Sequence, residues 1–593
     1  MSYHAHDLII LFEALYKSVT TKQCDTSGWV CLPPPQGFIE DVDNPPDIWA
    51  YHSFSALVRE TLVIGPKLLR GVAYQMGARL DPKYVINSGL GPGLHMDTSK
   101  AIASLEPNRL VCSEEEEVFL WAANLTLTFI HIPGETEDQM AVWLPNKRVL
   151  LPADDLYKTF PNLYAVRGTP PRNSMTWHNS LKRMRDLGAE YLVPSHTQPV
   201  VGRQWIHDTL TTYMAAIRYV HDQTVRHMNR GLHPDEVASR VKRLPPSLAS
   251  LPYLQQFYGT TVWSSKGVFE NYVGWFSGDP VDLLPLGPTE RSRRMVSMMG
   301  VDGLLAEAKV ALEEGELQWA LETVSHVYRI QPEMRAAQDL RWKVLRKLAG
   351  QQTNPIARNF YMTTILSDHG LIDWTIDQSP LIESLPVDEL FDLMRYKVKA
   401  EVVDGVNLTI VIRFKDTRES YRLRLCHSVL EVEMLSMETI SAAEAAGWTG
   451  KVTEGGGRGT REAAGECAGA GGAAGRVGGG LGGGVAAGKV TGGVAGETRR
   501  GGGRAAPGGP RRGAPEKPGV RVRGGAISEG EDRWIEEDGA FNVRIVTEST
   551  VWRQVLAKKR SLEQCIESGE IRLDPVSDGR PKLHRFFASF DTN

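Results

Sequence analysis

Three side chains that could bind a metal ion, Glu135, Asp154 and His196, each follow a short apolar run that predicts a β-strand. The runs are Leu125 to Ile132, Val149 to Leu151 and Tyr191 to Val193. In α/β proteins, groups at the same ends of neighbouring strands converge on one edge of the sheet, where ligands usually bind. Because carboxylate oxygens and imidazole nitrogens are zinc ligands, the pattern predicts a zinc site formed by these three residues.

Each of the three residues also has a plainer interpretation. Glu135 follows Pro-Gly and could lie in a solvated turn, and Glu137 is a competing ligand if the turn is shifted. Asp154 could cap the N-terminus of a following helix, which is a common position for Asp. His196 could be a structural hydrogen-bonding residue.

Several segments resemble the alkyl sulfatase branch of the metallo-β-lactamase superfamily. Pro133-Gly134-Glu135-Thr136 is similar to the PGHT turn of that fold, with Glu in place of His as in the alkyl sulfatases. Asp154 matches the bridging carboxylate of the fold, and the segment 194–199 (PSHTQP) is similar to the SHHWP-type segment whose first His binds metal. The segment 162–168 (NLYAVRG) closely matches the branch's NLYTLRG.

The resemblance implies an incomplete αββα sandwich of the metallo-β-lactamase type and a metal-dependent hydrolase of alkyl sulfate esters. Two zinc ions are typical of the family, and its HxHxDH motif supplies ligands to them. None of the 15 histidines has that spacing, since His4-Ala5-His6-Asp7 is followed by Leu8. We therefore expect one zinc ion or none, and an N-terminally truncated member of the family whose activity is impaired.

Substrate-binding residues are predicted in the segment 162–168. The guanidinium of Arg167 can form paired hydrogen bonds with a tetrahedral oxyanion such as sulfate, and Asn162 can add a neutral donor. The resemblance assigns sulfate binding to both residues and includes Tyr164 among the substrate-binding positions. The alternatives are a surface salt bridge for Arg167 and a packing role for Tyr164.

Composition breaks divide the chain into five parts. Residues 1–60 are irregular, 61–295 correspond to the metallo-β-lactamase-like catalytic domain, and 296–352 have helical periodicity and correspond to an all-α dimerisation domain. Residues 353–445 and 535–593 together predict an α+β domain that resembles a sterol-carrier protein. Between them, 446–534 is rich in Gly, Ala and Arg and predicts a disordered insert.

The bulk composition restricts the remaining possibilities. The six cysteines lack CxxC spacing, which argues against a disulfide scaffold and a cysteine-based zinc site. No run predicts a membrane span, and the first apolar run is too short for a signal peptide, so a cytoplasmic location is expected. The expected partners are a long-chain alkyl sulfate or similar amphiphile and a second copy of the chain.

Two further interpretations remain open at this level. The helical segment 301–348 could be a tetratricopeptide-like peptide-binding module, and the RGG-like runs of the insert could contact RNA. No aromatic residue is interleaved with these RGG-like runs, so we expect no nucleic-acid partner. The alternative overall function is a non-catalytic dimeric protein that binds lipids or other apolar ligands.

Overall fold

The computed structural model describes residues 47–54, 70–81, 83–89, 91, 107–120, 125–372, 382, 385–435, 541–574 and 576–590. All of them belong to one of the two units into which the chain divides. Most of the irregular N-terminal segment lies outside the described residues. The predicted insert at 446–534 lies entirely outside them.

The first domain contains a six-stranded sheet in the order β3-β4-β5-β6-β7-β8. Its strands are β3 (Glu115–Leu120), β4 (Leu125–His131), β5 (Met140–Leu144), β6 (Val149–Leu151), β7 (Tyr191–Leu192) and β8 (Val200–Val201). Neighbours are antiparallel except β6 and β7, which are parallel. Strands β4, β6 and β7 therefore run in the same direction. Strands β1 (Trp49–Tyr51) and β2 (Arg109–Val111) form a separate two-stranded parallel sheet.

Successive side chains of β4 point to opposite faces of the sheet and are buried on both, as expected for a strand between two layers. Leu127 and Phe129 belong to a core that includes Trp49 of β1. Ile130 belongs to a second core, formed with helices α1 (Ser174–Asp186) and α2 (Arg203–Met228). The layered α/β arrangement predicted from the apolar runs is thus present.

Helices occupy most of the chain between the two sheets. After α2 they are α3 (Pro234–Arg240), α4 (Pro246–Ala249), α5 (Thr261–Val273), α6 (Pro288–Met299), α7 (Val301–Glu314), α8 (Leu317–Ile330), α9 (Arg335–Gln351) and α10 (Pro355–Asp368). Gly315 ends α7 in a left-handed conformation, with φ of 85°. The apolar faces of α7, α8 and α9 share one core, which agrees with the helical periodicity predicted for this region.

The C-terminal domain has α11 (Val387–Arg395), α12 (Ala400–Val403), β9 (Leu408–Phe414), β10 (Ser420–Cys426), β11 (Val429–Met434), β12 (Phe541–Thr547), α13 (Ser549–Leu556), α14 (Leu562–Glu567), β13 (Arg572–Asp574) and α15 (Val576–Ala588). Its sheet has the order β11-β10-β9-β12-β13. Strand β12 pairs in parallel with β9, so residues from both sides of the predicted insert form one sheet.

The structure also describes the state of three cysteines and the length of the helices. Cys112 is disulfide-bonded, whereas Cys426 and Cys565 are buried free thiols. The argument against a disulfide scaffold therefore does not extend to Cys112. Among the helices of the described ranges, none is both long and apolar enough to cross a membrane.

Candidate active site

The three predicted metal ligands follow strands that point to the same edge of the six-stranded sheet. Glu135 comes after β4, Asp154 after β6 and His196 after β7. Because β4, β6 and β7 run in one direction, their carboxyl ends lie at one edge. The strand assignments and the shared edge that the sequence predicted are thus present in the structure.

Asp154 and His196 are in direct contact. The imidazole Nδ1 of His196 lies 2.7 Å from the carboxylate Oδ1 of Asp154. The Asp154 side chain is 6% exposed and that of His196 is 31% exposed, so the pair faces solvent through the imidazole. Asp154 lies inside a 3-10 helix, Ala153–Asp155, whose N-cap residue is Pro152. The interpretation of Asp154 as an N-cap is therefore wrong.

Both members of this pair have a neighbour in a left-handed backbone conformation. Ala153 precedes Asp154 with φ of 49°, and Thr197 follows His196 with φ of 73°. Such angles are uncommon outside glycine and are strained for a β-branched residue such as Thr. The Thr197 hydroxyl accepts a hydrogen bond from the backbone N–H of Lys158 at 3.1 Å. This bond ties the His196 turn to the segment that follows Asp154.

Glu135 is buried in an ion pair with an arginine that the sequence did not suggest. Its Oε1 lies 2.9 Å from Nη1 of Arg172, and the two side chains are 1% and 4% exposed. Glu135 is therefore not in a solvated turn. Glu137, the competing candidate, is exposed.

Asp155 fixes the turn that carries Glu135. Its Oδ1 accepts a hydrogen bond from the Glu135 backbone N–H at 3.0 Å. A Cβ on Gly134 would lie only 2.2 Å from the same oxygen, so only glycine fits there without a shift. Burial raises the pKa of the Asp155 carboxyl well above its usual range, and the negative charges of Glu135 and Asp154 raise it further.

Helix α1 holds both carboxylate turns. Its Ser180 hydroxyl donates to the Pro133 carbonyl at 2.8 Å, and the Trp177 indole N–H donates to the Asp155 carbonyl at 3.0 Å. The helix begins where the Asn173 side chain accepts hydrogen bonds from the backbone N–H groups of the first turn. Arg172, directly before this cap, is thereby held near Glu135.

The predicted sulfate-binding segment lies against the same arginine. Arg172 Nη1 donates to the Asn162 carbonyl, and the Asn162 backbone N–H donates to the Tyr157 hydroxyl at 2.8 Å. Arg167 is buried at 3% exposure, so its interpretation as a surface salt bridge is wrong. The Tyr164 side chain packs against α5 at Gly267.

The donor atoms fit a metal site in part. Asp154 and His196 offer an oxygen and a nitrogen close together, which suits zinc, but the Glu135 carboxylate is bound to Arg172. Within the part of the chain that the structure describes, no group of three or more His, Cys, Asp or Glu side chains could hold a metal ion. The predicted three-residue zinc site of Glu135, Asp154 and His196 is therefore not assembled in these described residues, although Asp154 and His196 contact each other.

Sequence reasoning missed Arg172, Asp155 and Trp177. Arg172 lies far from Glu135 in sequence, and its type gives no sign that it is buried. Asp155 is adjacent to Asp154, so two successive acidic residues after a strand are the one available signal. Nothing in the spacing around Trp177 indicates its hydrogen bond.

Three family models match this chain. The metallo-beta-lactamase superfamily model matches residues 93–196, the alkyl sulfatase dimerisation model matches 233–368, and the alkyl sulfatase C-terminal model matches 375–453. They occur in the order that the sequence predicted.

Among similar proteins, a linear primary-alkylsulfatase of Pseudomonas sp. (strain ATCC 19151) is 33% identical over 64% of this chain and 73% of its own length. An (R)-specific secondary-alkylsulfatase of Pseudomonas sp. is 27% identical over 63% of this chain and 57% of its own length. An alkyl/aryl-sulfatase of Saccharomyces cerevisiae is 28% identical over 58% of this chain and 51% of its own length. The chain thus spans little more than half the length of the last two.

The solved structure of a stereoselective inverting sec-alkylsulfatase from Pseudomonas sp. is similar in fold, with a TM-score of 0.69. The similarity covers 92% of this chain and 71% of the other, at 20% sequence identity. The two chains therefore share a metallo-β-lactamase fold with a helical domain and a further mixed α/β region.

Proposed function

Because this chain belongs to the alkyl sulfatase family of the metallo-β-lactamase superfamily, we propose that it hydrolyses sulfate esters of long-chain alcohols. The products are inorganic sulfate and the free alcohol. The observation that carries the proposal is the contact between Asp154 and His196 at the carboxyl edge of the sheet. The segment 162–168 also supports the proposal, because it has residue types that bind an oxyanion.

In the proposed reaction, Asp154 and His196 would hold a zinc ion, and Glu135 lies at the same edge of the sheet. A zinc ion, when bound, lowers the pKa of its water towards about 7 and so supplies hydroxide near neutral pH. Arg167 offsets the negative charge of the leaving sulfate through charge-assisted hydrogen bonds. Asn162 and Tyr164 orient the ester, and the absence of the HxHxDH motif would lower the activity of this chain.

The test is sulfate release from dodecyl sulfate by the purified full chain, with zinc content measured by mass spectrometry. His196→Gln should lower the rate about 100-fold or more if His196 binds the metal. The matched control is His207→Gln, because His207 also lies beside an aspartate but is exposed on α2. It should leave the rate unchanged.

Two results would contradict the proposal. One is equal activity of the His196→Gln and wild-type chains. The other is a wild-type chain that binds dodecanol but releases no sulfate when zinc is supplied. That second result would favour the non-catalytic binding of apolar ligands.

We also propose that the chain forms a homodimer through its helical region. Large apolar side chains are exposed between α5 and α7, among them Trp275, Leu284 and Met298, and Leu284 is 90% exposed. Exposed apolar patches of this kind often mark protein interfaces. Leu284→Glu should shift the sedimentation coefficient towards that of a monomer, whereas Leu371→Glu, at an exposed position beyond α10, should not. A wild-type chain that sediments as a monomer would contradict this proposal.

For the C-terminal domain we propose the role of a sterol-carrier-like module that holds an apolar molecule. Its core, which includes Phe391, Trp552 and Phe586, packs helices against the five-stranded sheet. This α+β layout supports the proposal. Saturable binding of dodecanol that protects β9 and β12 from hydrogen exchange is the expected result. An unchanged exchange pattern in both strands would contradict it.

A further inference from the structure

Helix α10 packs against two different parts of the chain. On one side, its Ile365 shares a small core with Trp342 and Leu345 of α9. On another side, buried polar side chains of α10 donate hydrogen bonds to backbone carbonyls within residues 73–87. The helix therefore connects the helical region to a segment that precedes the six-stranded sheet.

Asn359 and Thr363 make these hydrogen bonds. The side-chain amide of Asn359 donates to the carbonyl of Gln75 at 3.0 Å and to that of Asn87 at 3.2 Å. The Thr363 hydroxyl donates to the carbonyl of Ala73 at 3.0 Å. Both side chains are fully buried. Because a buried carbonyl that loses its donor is costly, these bonds fix the position of the segment on α10.

The segment held in this way contains a π-helix, Arg70–Gln75. Single-turn π-helices are rare and occur frequently at functional sites. Ala73 and Gln75, whose carbonyls accept from α10, both belong to it. The ring of Tyr74, in the same turn, lies 5.4 Å from the ring of Phe360 of α10, measured between centroids. The π-helix is thus attached to α10 by polar and aromatic contacts.

The π-helix begins close to Tyr164, a predicted substrate-binding residue. Burial raises the pKa of the Tyr164 hydroxyl and the negative charge of Glu270 raises it further, whereas the positive charge of Arg70 opposes the rise. The Tyr164 side chain also packs against Gly267 of α5. It therefore lies near both α5 and the first residue of the π-helix.

We propose that Asn359 and Thr363 are positioning residues that hold the π-helix beside Tyr164 and so determine how tightly an alkyl sulfate binds. This inference rests on the proposed sulfatase function, in which Tyr164 orients the ester. The two residues act through the π-helix and Tyr164. Because this connection does not run through Asp154 or His196, it should affect substrate binding more than zinc binding.

The first test compares Thr363→Val with Thr364→Val, two adjacent threonines of α10. Thr363→Val removes the hydrogen bond to Ala73, whereas Thr364→Val removes a hydrogen bond to Phe360 within the same helix. With the full chain and dodecyl sulfate below its micelle concentration, Thr363→Val should raise KM about 10-fold and keep kcat and zinc content within about threefold. Thr364→Val should leave all three unchanged.

Hydrogen exchange provides a readout that does not depend on activity. In Thr363→Val, exchange should rise within 70–77 and 83–89, while the centre of α10 stays protected. Asn359→Leu should have a larger effect on the same segments, because it removes two hydrogen bonds. Thr364→Val should change neither segment. If Asn359→Leu does not fold, Thr363→Val alone decides the question.

The outcomes separate this inference from the proposed function. If wild type releases no sulfate, the Kd for dodecyl sulfate replaces KM, and binding about 10-fold weaker in Thr363→Val supports the positioning role while the proposed function fails. A wild type that neither cleaves nor binds dodecyl sulfate would overturn both.

Two results with an active wild type would overturn the positioning role alone. One is a KM for Thr363→Val within about threefold of wild type, or a kcat that falls as much as KM rises. The other is a rise in exchange throughout the domain, because that indicates a general role in stability.

Discussion

Two carboxylates at the same edge of the sheet have different partners. Glu135 is buried and pairs with Arg172, a cation at every physiological pH. Asp154 contacts the partly exposed imidazole of His196 at 2.7 Å. The comparison indicates that the Glu135 pair is a buried part of the framework, whereas the Asp154 pair is open to solvent through the imidazole.

The largest difference between the two pairs should appear when one partner is removed. Glu135→Gln leaves the Arg172 charge buried without its carboxylate, so the domain should lose about 3–5 kcal/mol of stability. His196→Gln should cost less than about 1 kcal/mol, because the pair is partly solvated. Native-state hydrogen exchange of α1 measures both, since this helix holds the two carboxylate turns.

Equal losses for the two variants would contradict the comparison. So would a loss for Glu135→Gln that disappears in the double variant with Arg183→Met, because Arg183 has no contact with Glu135 in the structure. A double variant with Arg172→Met should instead recover part of the loss, since it removes the unpaired charge.

A smaller effect is expected from the turn that presents Glu135. Gly134→Ala would place a Cβ 2.2 Å from Asp155 Oδ1, and the required shift should cost about 1–3 kcal/mol. The control is Gly303→Ala, at an exposed position inside α7 with no atom within 4 Å of the added Cβ. It should stabilise α7 by about 0.5–1 kcal/mol. Exchange protection of α1 and α7 measures the two changes.

A Gly134→Ala variant as stable as wild type would show that the turn yields easily. In that case the turn that carries Glu135 would not be rigid. If Gly134→Ala lowered stability without changing zinc affinity, the stability of the turn would be separate from its role in the site.

The sequence allowed the strands, their shared edge and the positions of Glu135, Asp154 and His196 to be predicted, because apolar runs and motif order are local signals. The pairing of Glu135 with Arg172 could not be predicted. It depends on how α1 packs against the sheet, which is a long-range property. The left-handed conformation of Thr197 could not be predicted either, because a β-branched residue type does not indicate it.

The smallest change in stability is expected at Thr197, beside the more exposed pair. Thr197→Gly relieves about 1–2 kcal/mol of left-handed strain, but it removes the hydrogen bond from Lys158 and adds entropy to the unfolded chain. These terms oppose one another, so the net change should stay within about 1 kcal/mol.

Activity should respond more strongly than stability to the same substitution. If the strained turn holds His196 beside Asp154, Thr197→Gly should slow sulfate release from dodecyl sulfate about 10-fold. Arg418→Gly relieves a left-handed residue with φ of 61° in the C-terminal domain and should leave the rate unchanged. An unaltered rate in Thr197→Gly would mean that His196 is positioned by its contact with Asp154 alone, and the strain at Thr197 would then have no part in the site.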